Sequence, residues 1–412
     1  MTLGPSLASN RLKPPDSRYP VATHRPTINP ALLVWSRRSL NLSEEQAATR
    51  LGVTVDTIRA WEAGAQPPTI AQLRTAAEKY RRPLGVFFLP VPPADPLPPH
   101  DFRTVPGTDT EELSAEFLVE LRRAHHRRSI TLELLSEMER RPPRFQLLAQ
   151  VNDDPEQTGR RIRQAFGVKL SAQQRWREGS AFNEWKTMVE RLGVLVFQMR
   201  GVSYREVRGF SIADFPLPVV VVNGSDFPNA KTFTLLHEFT HLLLRSGGIC
   251  DPHHVVKGRS RDSRIEAFCN HVAGAVLVPA SSLVNHGNVV GNADPERWMD
   301  AALDTIAAYY GVSTLVVVRR LLTLGLTTEG FYHRYHERVV NRAEKRRQER
   351  VQDGAPPRPV MVVADMGRAF TGAVLDAYRS QVITASDVAN YLRVRVRQIG
   401  DVEARLSLGA GE

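Results

Sequence analysis

The sequence predicts an α+β fold that is mainly helical, and three observations predict it. From Pro30 onward most segments carry apolar residues at helical spacing. Two short runs, LGVLVFQM from Leu192 and PVVVVNG from Pro218, have the length and β-branched composition of strands. These runs follow one block of helices and precede another, which is the order of an α+β chain.

Bulk properties narrow the function classes. A chain of 412 residues suggests two to four domains with ample material for a core, and a hydrophobic share of 42% is that of a globular protein. Two cysteines, Cys250 and Cys269, cannot build a disulfide framework, and no charged start with an apolar stretch opens the chain, so a reducing cytoplasm is the expected location. No run approaches the roughly 18 apolar residues of a membrane helix, and no membrane partner is expected. With 54 Lys and Arg against 44 Asp and Glu the net charge is +10, which favours polyanions.

Residues 1–27, rich in Pro, Ser and Arg without periodicity, are expected to be a disordered lead. Residues 28–90 read as a helical domain. Ser43 can cap a helix while Gln46 reaches back to form a capping box, and Gly52 ends that helix. Thr54 can cap the next, with Val55, Ile58 and Trp61 on one face and Asp56, Thr57 and Arg59 pointing elsewhere. Ala48, Gly52 and Ile58 have the spacing of a helix-turn-helix: a small residue at the crossing, glycine for a positive φ, an apolar plug. The competing expectation is a helical hairpin used for protein contacts.

The stretch FFLPVPPADPLPPHDFRT from Phe87 is proline-dense and marks a linker over 91–110. Residues 111–330 hold helices, the two strand runs and the motif-bearing helices. Arginine-rich segments such as ELRRAHHRRS around Arg123 read as solvated faces.

TFTLLHEFTHLLLRSGG, residues 232–248, places His237 and His241 four apart, so that on a helix both rings project from one face within reach of a single ion. Zinc in a catalytic site takes three protein ligands and leaves one position for water. SRIEAFCNHVAGAVLVP supplies the third as Glu266, on a helix whose Ile265, Phe268, Val272, Ala273 and Val276 bury it. Glu238 is then placed to take a proton from water and pass it to a leaving amine, which is peptidase chemistry. Cys269 reads as a packed core cysteine rather than a ligand. His253, His254 and His271 are near in the chain, but none is assignable as an oxyanion stabiliser.

Two resemblances add to this reading. Residues 28–90, including WEAGAQPPT, resemble the XRE (Cro-like) helix-turn-helix family, which implies a five-helix domain. They put Ser43, Gln46, Thr54, Asp56, Thr57 and Arg59 at the DNA surface, where many members carry glutamine at the position of Glu44. Residues 180–330 resemble the ImmA/IrrE zinc metallopeptidases through GFSI at Gly209, VVVVN ending at Asn223, LLHEFTH, EAFCNHVAGAVLVP and YYGVSTLVVVRRLLTLGL from Tyr309. Lys231 stands where that family often has arginine. The resemblance implies a zincin-like domain with Zn2+ on His237, His241 and Glu266, Glu238 as base, and cleavage of an XRE-type repressor. Expected partners are therefore DNA, a repressor-type protein substrate, and a second copy of the chain as a homodimer. A transcription factor whose zinc domain senses without cutting is the rival, and a partner-binding scaffold a third class.

The helix-turn-helix spacing recurs. Ala307, Gly311 and Val317 repeat it, with Ser313 as cap. Ala389 and Ile399 repeat it again, but Arg393 stands in place of the turn glycine, so a plain helical pair is expected there. HERVVNRAEKRRQER from His336 reads as a solvated basic helix within a basic helical C-terminal extension over 331–412.

Overall fold

Helix boundaries in the N-terminal part follow the capping residues. The computed structural model describes residues 25–94, 113–176, 180–245, 249–250, 261–349 and 358–407. Most of the lead expected over 1–27 and of the linker over 91–110 lies outside the described residues. The chain divides into two compact units, Met1–Ala94 and Asp95–Glu412.

In the first unit α1 (Pro30–Arg38) starts with proline at its first position and Asn29 accepting from Ala31 N. Next, α2 (Glu44–Leu51) carries the capping box of Ser43 and Gln46, and Gly52 closes it in the left-handed region at φ 68°. Thr54 caps α3 (Val55–Glu62), and Thr69 with Gln72 makes a second capping box for α4 (Ile70–Lys79). A 3₁₀ helix at Leu84–Phe88 is the fifth helical element. Leu32, Leu33, Ile58, Trp61, Leu73 and Phe87 fill the core. Arg37, almost buried, grips Glu62 through two hydrogen bonds of 2.7 and 2.8 Å.

The second unit opens with α5 (Ala115–Glu137), α6 (Pro155–Phe166), α7 (Leu170–Gln173) and α8 (Ala181–Arg191). Its strands are β1 (Leu195–Met199), β2 (Gly209–Ile212) and β3 (Val219–Asn223), then α9 (Pro228–Leu243), β4 (Ile249–Cys250) and α10 (Arg261–Leu277). After them come α11 (Ala280–Leu283), α12 (Gly287–Val290), α13 (Asp300–Tyr310), α14 (Thr314–Thr323) and α15 (Glu329–Glu349). The chain continues with α16 (Arg358–Met366), α17 (Arg368–Arg379), α18 (Ala385–Leu392), a 3₁₀ turn at Val396–Gln398 and α19 (Ile399–Ser407).

The sheet order is β1-β3-β2-β4, with β1 parallel to β3 and β2 antiparallel to both β3 and β4. Strands β1 and β3 read as unbroken apolar runs because both faces of the sheet are covered. Val196, Val220 and Val222 face α6, α8, α9 and α10, whereas Leu195, Phe197, Val219 and Val221 face α5, α16 and α17. The stretch expected as a C-terminal extension thus supplies, over 358–407, a large part of the second cover. Buried Lys186 and Gln198 each donate at 2.7 Å to Ala364 O and pin the end of α16 to that layer. Within the described residues no single helix is long and apolar enough to cross a membrane.

Candidate metal centre

The site is built on α9, a helix buried nearly all round: Leu235, Leu236, His237, Glu238, Phe239, His241 and Leu242 are all inaccessible to solvent. Such a helix belongs to the middle of a core, where polar side chains persist only with partners. Next to it β2 approaches closely because Gly209 has no side chain: a Cβ there would sit 2.6 Å from Thr234 Cγ2 and 2.9 Å from Val221 O. From the other side α10 delivers Glu266.

His237 Nε2 and His241 Nε2 lie 3.0 Å apart. Glu266 Oε2 is 3.4 Å from the first and Oε1 3.2 Å from the second. Two imidazole nitrogens bonded to one tetrahedral zinc at about 2.0–2.1 Å would stand roughly 3.3 Å apart, close to the observed spacing. Asn270, one turn after Glu266, decides which nitrogen is free: its Oδ1 lies 3.0 Å from His237 Nδ1. An amide oxygen only accepts, so Nδ1 carries the proton and Nε2 keeps its lone pair toward Glu266. Burial keeps His237 below its ordinary pKa and therefore neutral, as a metal ligand must be.

Glu238 is fully buried and neither carboxylate oxygen has a hydrogen-bond partner of good geometry. Burial pushes its pKa up to about 8, against the pull of His241 and of the Ser211 hydroxyl. This carboxyl stands beside a His-His-Glu group that could hold a metal ion, and the donor set is one that suits zinc. The three ligating side chains expected from spacing are thus brought to one point, with Glu238 beside them.

Other residues near the motif serve different ends. Cys269 is fully buried against His241, and burial keeps its thiol above the ordinary range. His271 turns away to Glu156 at 2.7 Å, which also holds buried Arg320. His253 and His254 lie outside the described residues. Lys231 reaches Gln198 at 3.2 Å. Sequence reasoning missed Asn270, whose signal was its position one helical turn beyond Glu266. It also missed Arg319 of α14, which stacks over Phe233 at 5.5 Å and whose charge acts on His237.

In the N-terminal unit the six expected DNA residues divide. Ser43 and Gln46 are engaged in the capping box. Thr54 caps Thr57 N at 3.2 Å, and Thr54, Asp56 and Arg59 are exposed. Arg59 crosses to α2 and meets Glu44 at 2.6 Å, so the acid standing where many XRE domains have glutamine is neutralised by the helix it faces.

Comparison with known families agrees with this layout. Residues 35–87 match the helix-turn-helix family, and residues 189–322 match the IrrE N-terminal-like domain, a metallopeptidase-type family. No curated protein and no solved structure matches the chain.

Proposed function

We propose that this chain, which joins an XRE-type helix-turn-helix domain to an ImmA/IrrE-type metallopeptidase domain, is a DNA-binding regulator with a zinc endopeptidase that cleaves a repressor-type protein. The observation that carries the proposal is the buried Glu238 carboxyl, whose oxygens have no hydrogen-bond partner of good geometry, beside three converged ligand atoms. A site that only holds metal closes its fourth position with protein and has no use for such a group.

His237, His241 and Glu266 would hold the ion, and Asn270 would fix the His237 ring. Zinc, when bound, supplies a Lewis acid that polarises a peptide carbonyl. Glu238 takes the proton of the attacking water and hands it to the departing amine, a role worth about a hundredfold or more in rate. Its raised pKa makes both strokes feasible near neutral pH, since the group neither holds nor refuses a proton strongly. The helix-turn-helix unit would bring the enzyme to a promoter through Thr54, Asp56, Thr57 and Arg59.

The test compares the parent with Glu238→Gln for zinc content and for new peptide N-termini generated in a lysate of the source cells. Both proteins should hold zinc, and only the parent should produce new termini. Equal termini from both, with gene regulation intact in the variant and lost in His237→Ala, would replace the peptidase with a zinc-sensing transcription factor.

A further inference from the structure

Three hairpins in this chain share one turn. Gly52, Gly311 and Arg393 sit in the left-handed region at φ 68°, 64° and 53°. In each, the next residue's N–H returns to an alanine carbonyl at 3.0 Å: Val53 to Ala48, Val312 to Ala307, Val394 to Ala389. Two positions past the turn, Thr54, Ser313 and Arg395 take the extended conformation of an N-cap, and Ile58, Val317 and Ile399 are the buried plugs. Thr384 and Asp387 form the capping box that Ser43 and Gln46 form in α2. The last hairpin, expected from its arginine to be a plain helical pair, is a full helix-turn-helix.

What separates the three is the first turn of the second helix. In α14 it is spent on packing, with Val316, Val317 and Val318 buried in the core. In α3 it is open but carries Asp56, with Glu44 nearby. In the last hairpin it is open and basic: Arg393, Arg395 and Arg397 are exposed, and Val396 is 54% exposed. Gly400 has no neighbour within 4 Å of where a Cβ would stand, so a ligand backbone can approach. Of the acids close by, Asp387 is engaged with Thr384 and Glu403 with Arg379 at 3.1 Å, while Asp401 and, on α5 near Tyr391, Glu133 and Glu137 are exposed. On α5 alongside, burial above all takes the pKa of Arg127 down to about 10, with Arg393 and Arg123 adding to it against the pull of Glu120. An L-residue in the left-handed region costs stability that glycine avoids, so Arg393 stands there against the preference of its own backbone.

We infer that residues 384–407 form a second duplex-DNA-binding helix-turn-helix, with Arg395 and Arg397, at the 3₁₀ turn that leads into α19, seated on phosphates. The helix N-terminus adds its own attraction for phosphate, and the flanking basic groups extend the field. This assignment goes beyond the N-terminal DNA contacts and stands without them.

The experiment titrates the full chain into a random-sequence duplex of roughly three helical turns, between about 50 and 200 mM NaCl. It compares the parent, Arg395→Gln/Arg397→Gln, Arg395→Lys/Arg397→Lys, Arg59→Ala, and the exposed control pair Arg175→Gln/Arg191→Gln. Each lost phosphate contact flattens the plot of log affinity against log salt by about 0.9. The glutamine pair should flatten it by nearly two such steps at unchanged melting midpoint, the lysine pair should restore it, and the control should match the parent. A glutamine pair that binds as the parent does, or a control that loses as much, overturns the assignment. Loss with Arg59→Ala alone also overturns it; loss with the glutamine pair alone supports it and removes the N-terminal DNA reading instead.

Discussion

Removing Asn270 isolates the contribution of a single acceptor to the metal centre. In Asn270→Ala the His237 Nδ1–H loses its 3.0 Å partner in a place without solvent access, since His237 is 0% and Asn270 9% exposed. An unsatisfied buried donor costs about 1–3 kcal/mol, and the ring is freed to turn or to move its proton to Nε2, the atom needed for coordination. At about 1.4 kcal/mol per decade this corresponds to zinc binding weakened roughly 10- to 100-fold, the range found when the outer partner of a metal-bound histidine is lost. Competition with a chromophoric chelator measures it directly, independent of any substrate. Asn270→Asp keeps an acceptor at the same place and should bind zinc at least as well as the parent. Zinc affinity in Asn270→Ala within about threefold of the parent would refute the claim that this amide orients the ring.

Three further outcomes follow from packing and charge. Gly209→Ala forces a methyl group against Thr234 Cγ2 and Val221 O and should cost about 1–3 kcal/mol in chemical denaturation, an unchanged midpoint counting against the close approach of β2 and α9. Gly311→Ala meets only Ala181 at 4.0 Å, so its loss of about 1–2 kcal/mol would come from the left-handed backbone alone, and a neutral result would dispute that conformation. Glu156→Gln strips buried Arg320 of its carboxylate and should destabilise by on the order of 3 kcal/mol at neutral pH. Burial raises the Glu156 pKa, but His271 and Arg320 outweigh it and hold the carboxyl below its ordinary value. Its stabilisation is therefore present above the unfolded value of about 4.3 and lost as pH falls through the folded one, so the gap between parent and variant should close in acid; a gap that persists there would exclude the ion pair as its source.

Much of this protein was legible from local spacing. Two histidines four apart on a helix share a face whatever surrounds them, so His237 and His241 could be paired from the chain alone. The same holds for the capping box at Ser43 and for glycine at 52 and 311, because caps and turns are settled within a few residues. Contacts between distant segments were decided only by tertiary packing. That Asn270 touches His237, that Arg59 meets Glu44, and that β2 presses on α9 at Gly209 depend on how helices and strands cross, which no local period encodes. Arg393 shows the limit from the other side: the chemistry of arginine argues against a left-handed turn, yet the buried plugs Val388, Leu392, Ile399 and Val402 hold the hairpin in that form. Likewise the apolar runs of β1 and β3 announced strands, but the sequence could not say that residues 358–407 would cover one face of their sheet. Burial has no direction along the chain, and any segment with a matching apolar face could have served.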